Sequence, residues 1–92
     1  MTEPMVVNNN QLNNRFEIII NSETAVLEYT IRDNSIIFTH TGVPAELEGK
    51  GLGSLLVKAG LEYADLHKLK VVPICWFVGK YIDRHPEFSH LL

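Results

Sequence analysis

The sequence predicts an α+β domain on one mixed sheet: an antiparallel meander of three strands, then a strand–helix–strand unit, then a short C-terminal helix. Three observations carry this reading. The first half of the chain alternates apolar and polar residues with a period of two, the spacing becomes helical after Gly51, and an apolar run of strand length follows that helix. At 92 residues there is material for one core, so a single domain over residues 1–92 is expected.

The elements follow in order. Residues 1–14 contain Asn8, Asn9, Asn10, Gln11, Asn13 and Asn14, polar side chains that bury little and compete for backbone hydrogen bonds, so a frayed, flexible tail is expected there. Arg15–Ile20 (RFEIII) is β-branched and aromatic. Asn21-Ser22 then supplies turn chemistry before residues 24–32 (TAVLEYTIR), making a hairpin. In its second strand Ala25, Leu27, Tyr29 and Ile31 share one face. Asp33-Asn34 turns the chain again, and residues 35–43 (SIIFTHTGV) are a third strand that Pro44 stops. From Gly51 onward, Leu52, Leu55, Leu56, Ala59, Tyr63 and Leu66 repeat at helical spacing and form one apolar stripe, on a helix ending near Lys68. Residues 71–77 (VVPICWF) read as a strand returned by that helix to lie parallel to the third one. Residues 78–85 are weakly helical and stop at Pro86, and a short closing segment follows.

Composition excludes several classes. Hydrophobic residues make up 46% and charged residues 21%, which argues for a folded soluble domain. Eight basic against eleven acidic residues leave a net charge of −3 with no basic run, so neither nucleic acid nor a membrane surface is an expected partner. The longest apolar stretch is far too short to span a bilayer, and the N-terminus lacks the basic start and apolar run of a signal peptide, so no targeting elsewhere is expected. The lone Cys75 forms no internal disulfide and, with four scattered histidines, gives no metal-ligand spacing, so no metal is expected and a reducing cytoplasm fits best.

The most informative stretch is Glu48-Gly49-Lys50-Gly51-Leu52-Gly53-Ser54, between a strand end and a helix start. Its glycines let backbone N–H groups approach a ligand, and the helix N-terminus favours phosphate charge. It is neither a dinucleotide fingerprint, which needs glycine where Leu56 stands, nor a Walker loop, which needs a lysine followed by Ser or Thr. The glycines alone are equally compatible with a tight loop and a close helix–sheet contact. The loop resembles the [Arg/Gln]-x-x-Gly-x-[Gly/Ala] motif of the GNAT acyltransferase superfamily. Together with His40-Thr41-Gly42-Val43-Pro44, Pro73-x-Cys75 and Arg84-His85-Pro86-Glu87-Phe88, it is similar to the short GNAT-like family of about hundred-residue proteins, over roughly residues 15–92. One departure is Glu48, which stands where the motif has Arg or Gln.

The resemblance implies acetyl-CoA as the small-molecule substrate and N-acetylation of an amine, small molecule or protein. It implies that Glu48 to Ser54 hold the pyrophosphate, and that the two parallel strands splay so that Thr41, Gly42 and Val43 pair with the pantetheine arm. Pro73 supports a break in pairing independently, although an ordinary edge strand would also accommodate it.

Cys75 and His40 both fall near the carboxyl ends of the parallel strands, where open α/β sheets bind ligands, so the two are a candidate chemical pair. A Cys75 thiolate could accept the acetyl group before the amine does, and a neutral His40 could take the proton of the incoming ammonium. Equally, Cys75 packs as a small hydrophobe while the amine attacks the thioester directly, and His40 only hydrogen-bonds. Tyr81 lies near where many GNAT enzymes place the tyrosine that protonates the leaving thiolate, though an aromatic on a short helix also suits the core. Full-sized GNAT domains enclose the amine with extra helices, and the resemblance leaves no residues for these between the first two strands, so an open acceptor side is expected, in a monomer or weak homodimer. A CoA-binding module without turnover is the alternative reading.

Overall fold

Two tight turns organise the first half of the chain. The computed structural model describes residues 6–92. Strands β2 (Arg15–Ile20), β3 (Glu23–Arg32) and β4 (Ser35–Gly42) form the expected antiparallel meander. Its two hairpin loops, Asn21-Ser22 and Asp33-Asn34, have both residues at positive φ, which matches the twist of the flanking strands and which Asn and Asp tolerate well. Helix α1 (Leu52–Leu66) returns the chain to β5 (Lys70–Pro73), parallel to β4, and α2 (Trp76–Arg84) follows. With β1 (Asn8–Asn10) at one edge, the sheet order is β1-β2-β3-β4-β5, so the fold is the mixed α+β sheet expected.

The frayed tail expected over residues 1–14 is corrected for its second half, while residues 1–5 lie outside the described residues. Asn8–Asn10 form β1, antiparallel to β2. The polar side chains are what hold it. Asn10 Nδ2 reaches both Glu17 carboxylate oxygens at 3.4 Å, and Tyr29 Oη donates to Asn9 Oδ1 at 2.7 Å. Arg15 Nε donates to Glu17 Oε2 at 2.8 Å, so this buried carboxylate is well satisfied. A run that has little to bury thus becomes an edge strand by satisfying groups that the neighbouring strands present.

The face of α1 also differs from the expected stripe. Leu52, Leu56, Val57, Gly60, Leu61 and Ala64 are buried, whereas Leu66 is 78% exposed and Leu55 lies at the margin. Gly60 explains the rotation: a β-carbon there would come within 2.9 Å of the Phe38 ring and 3.1 Å of Leu27. The helix rests on the sheet at its own glycine, and the flanking residues turn inward around that contact. Phe16, Tyr29 and Tyr63 extend the core, with Phe16 5.2 Å from Tyr29 and 5.7 Å from Tyr63 between ring centroids. No helix among the described residues is long and apolar enough to cross a membrane.

Candidate active site

The site begins where two strands part. Pairing of β4 with β5 runs from Ser35↔Lys70 to Phe38↔Pro73 and stops. Pro73 has no N–H to extend a ladder, and the Cys75 N–H makes a last bond to the Phe38 carbonyl at 2.9 Å. Beyond it, residues 39–42 keep their β3 partners, apart from the bulge residue Thr39, and have no strand on the other side. A cleft of about 820 Å³ opens there, lined by β4, the glycine loop and the start of α2. Residues 71–77 are therefore not one strand. The apolar run is split, with β5 ending at Pro73, and Cys75 is the N-cap residue of α2, its carbonyl accepting from the Val78 and Gly79 amides at 3.1 and 3.4 Å.

The glycine loop closes one end. A 3-10 turn (Ala45–Leu47) anchors it through buried Leu47, and Glu48 follows, exposed. Gly49 and Gly51 adopt φ of 83° and 75°, with nothing within 4 Å of a β-carbon at either, so backbone conformation rather than crowding demands glycine. Gly51 caps α1 without a side-chain hydrogen bond, and the first turn carries no acidic residue. Its amide donors and positive dipole end are thereby available to an anion. Glu48, Gly49, Gly51, Leu52, Gly53 and Ser54 line the cleft, as do Thr41 and Val43, while Gly42 and Lys50 do not.

Cys75, His40 and Thr41 also line this cleft, but it is Thr41 that meets the thiol. Thr41 Oγ1 lies 3.3 Å from Cys75 Sγ, and no hydrogen bond joins His40 to the sulfur. A β-bulge is the reason. Glu28 pairs with His40 and Tyr29 with Phe38, leaving Thr39 as the extra residue. Side-chain parity flips across it, so Thr41 joins buried Leu27 on the helix side and His40 joins exposed Glu28 on the open face. The imidazole lies along Gly42, where an added β-carbon would sit 3.1 Å from His40 Nε2.

Partial burial pushes the Cys75 thiol up, yet hydrogen bonding from Thr41 Oγ1 and from the Phe77, Val78 and Thr41 backbone outweighs it, and the pKa lies below the ordinary thiol value. The amides of the first turn of α2 thus favour the thiolate, as a helix N-terminus does. Thr41→Val should slow alkylation of Cys75 by iodoacetamide several-fold at neutral pH and move the rate profile to higher pH, since the thiolate is the reactive form. An unchanged profile would remove Thr41 from this role.

Tyr81 stands elsewhere. It lines an adjoining groove between α2 and the start of α1, its ring stacked on His85 at 4.1 Å. Burial, then the Glu87 and Glu62 carboxylates, raise its pKa, so it stays protonated at neutral pH. Sequence reasoning missed Thr41 as the partner of the thiol, Trp76 and Phe77 as cleft walls, and this groove. The signal for the last was Lys80 and Arg84 at helical spacing. The described residues contain no group of three or more His, Cys, Asp or Glu able to hold a metal ion.

Comparison with known proteins agrees with this geometry. A family model described as GCN5-related N-acetyl-transferase matches residues 15–91. Protein NATD1 of Gallus gallus and protein NATD1 of Mus musculus are each 30% identical over 91 residues, covering 96% of this chain and 83% of theirs. The NMR solution structure of a GCN5-like protein from Staphylococcus aureus superposes with a TM-score of 0.73 at 30% identity, covering 95% of this chain and 86% of that one. The parted strands, the glycine-led helix and these matches place the chain in the GCN5-related N-acetyltransferase family.

Proposed function

We propose that the protein transfers an acetyl group from acetyl-CoA to an amine by way of Cys75. What supports this reading is the convergence, in one cleft, of an open strand edge, an uncapped helix N-terminus and a thiol whose ionisation is favoured. The pyrophosphate would lie on the amides at the start of α1, and the pantetheine amides along residues 39–42, whose backbone groups a second strand does not take. Both ends of the cleft are helix N-termini, so it favours anions in a chain of net charge −3.

The thiolate, held by the Thr41 hydroxyl, attacks the thioester carbonyl carbon. A new carbon–sulfur bond forms at Cys75 Sγ, the bond to the CoA sulfur breaks, and the CoA thiolate takes a proton from water rather than from Tyr81 in the adjoining groove. The amine then attacks the acetyl-cysteine, its nitrogen–carbon bond forms, and the Cys75 thiolate leaves. His40, at the cleft rim on the open face of the sheet, accepts the amine's surplus proton. The exposed Glu28 carboxylate opposite His40 favours a cationic acceptor on that face.

The test is a pair of assays. Saturation with acetyl-CoA at a hundredfold excess over Kd should stabilise the fold by about 2.7 kcal/mol, roughly 10–20 °C in a domain of this size. A panel of primary amines should then release CoA thiol at a rate that depends on the amine. No thermal shift would eliminate the reading. A shift with no amine-dependent release would make the chain a CoA-binding module without turnover.

A further inference from the structure

The face of the sheet turned away from α1 carries an exposed apolar strip that leads to the cleft. Ile36, Phe38 and Val71 are buried in the core, so their alternates Ile37 and Val72 point to the opposite side. These two are register partners on the parallel strands and stand side by side, with the strands ~4.8 Å apart. Val72 is 40% exposed, and Ile74, two residues on, is 66% exposed at the mouth of the cleft, which it lines together with Thr39 and His40. Apolar side chains scattered singly over a surface mean little. A row of them that ends beside a reactive thiol marks a place where something apolar docks.

The strip has a polar end. His40 pairs with Glu28, whose exposed carboxylate forms no ion pair or side-chain hydrogen bond among the described residues. A path across the sheet from β3 to β5 beside the cleft therefore meets a free carboxylate, an imidazole, and then isoleucine and valine. The ligand complementary to that order has a cation at one end and hydrocarbon at the other. Its hydrocarbon is also short. Thr30 pairs with Ile37, and Arg32, Ser35 and Lys70 occupy the next positions of this face away from the cleft, so apolar contact ends at Ile37 and Val72.

We infer that the acceptor is a primary monoamine bearing a short apolar group, its nitrogen held at His40 and its hydrocarbon laid on Ile74, Val72 and Ile37. The inference rests on the acetyl-transfer reading above and adds the class of acceptor to it. A diamine would bring a second ammonium over the strip, and a lysine within a peptide would bring polar amides, and each loses hydration there without a partner. Ile74 is the residue that sets the preference.

Amine-dependent release of CoA thiol by the full chain tests this, with hexylamine compared against 1,5-diaminopentane, which matches it in length, and against a lysine residue blocked at both ends. The unaltered protein should give hexylamine a kcat/KM about tenfold or more above either competitor, the equivalent of about two buried methylene groups. Ile74→Ser should bring these ratios close to one, and Ile74→Leu should restore them. All three amines draw on the same acetylated protein, so an effect of the substitution on the acetyl-CoA half of the reaction cancels in the ratio. Ile74 is mostly exposed, so both variants are expected to keep the fold, which their melting curves check. Equal or faster turnover of either competitor by the unaltered protein would overturn the inference while leaving acetyl transfer intact. So would a preference that survives Ile74→Ser. Absence of thiol release with every amine would sink the transfer reading itself, and the inference with it.

Discussion

Phe38→Ala should lower the melting temperature by at least about 12 °C. The ring is fully buried, packs edge-on to Tyr29 at 6.5 Å, and fills the hollow over Gly60 where α1 rests on the sheet. Truncating such a residue costs about 3–5 kcal/mol, because the surrounding backbone cannot collapse into the void. Against a total stability of about 5–15 kcal/mol, that is a large fraction, and each kcal/mol moves Tm by about 4–8 °C in a domain of this length. The same residue carries the carbonyl that receives the Cys75 N–H, so the core and the mouth of the cleft share one support. Thermal unfolding followed by circular dichroism reads the effect, with Val72→Ala, a half-exposed β5 position, as a control expected to change stability by less than about 1 kcal/mol. A Phe38→Ala loss no larger than the control's would mean that the core does not close around this ring.

Cys75→Ala should reduce kcat/KM by about a thousandfold or more while leaving CoA affinity nearly unchanged. A thousandfold is about 4 kcal/mol of transition-state stabilisation, a reasonable loss when the nucleophile of a two-step transfer is removed. The sulfur contributes little to holding the cofactor, whose expected anchors are backbone groups of β4 and α1. The pH dependence follows from the direction of the thiol shift. A lowered pKa leaves thiolate present at lower pH, so the acid limb of kcat/KM should fall below the range of an ordinary thiol, and Thr41→Val should carry that limb upward. Turnover of Cys75→Ala equal to that of the unaltered protein would establish direct attack of the amine on the thioester instead.

The meander and the glycine-led helix were legible because their signals are local: alternation along residues 15–32, Asn-rich turns, and apolar spacing after Gly51. The failures have physical causes of a different kind. Asn8–Asn10 read as a tail because edge pairing through Glu17 and Tyr29 depends on distant residues. The helix face was misjudged because the contact around which it turns is a glycine, Gly60, invisible to a count of apolar side chains. Residues 71–77 looked like one buried strand, and the break at Pro73 that makes Cys75 a helix N-cap depends on where β4 loses its partner. Most consequential was Thr39. One extra residue in β4 reverses which side chains face the helix, so Thr41 meets the thiol while His40 lines the same cleft from the open face. Which residues line the cleft was thus largely readable, and which of them meets the thiol was not.

The most direct test of the account is the intact mass of the protein after mixing with acetyl-CoA in the absence of any amine. The account predicts one acetyl adduct, located on the peptide that contains Cys75, absent from Cys75→Ala, and discharged when an amine is added. A protein that shows no adduct at any time while still turning over acetyl-CoA with amine would contradict it.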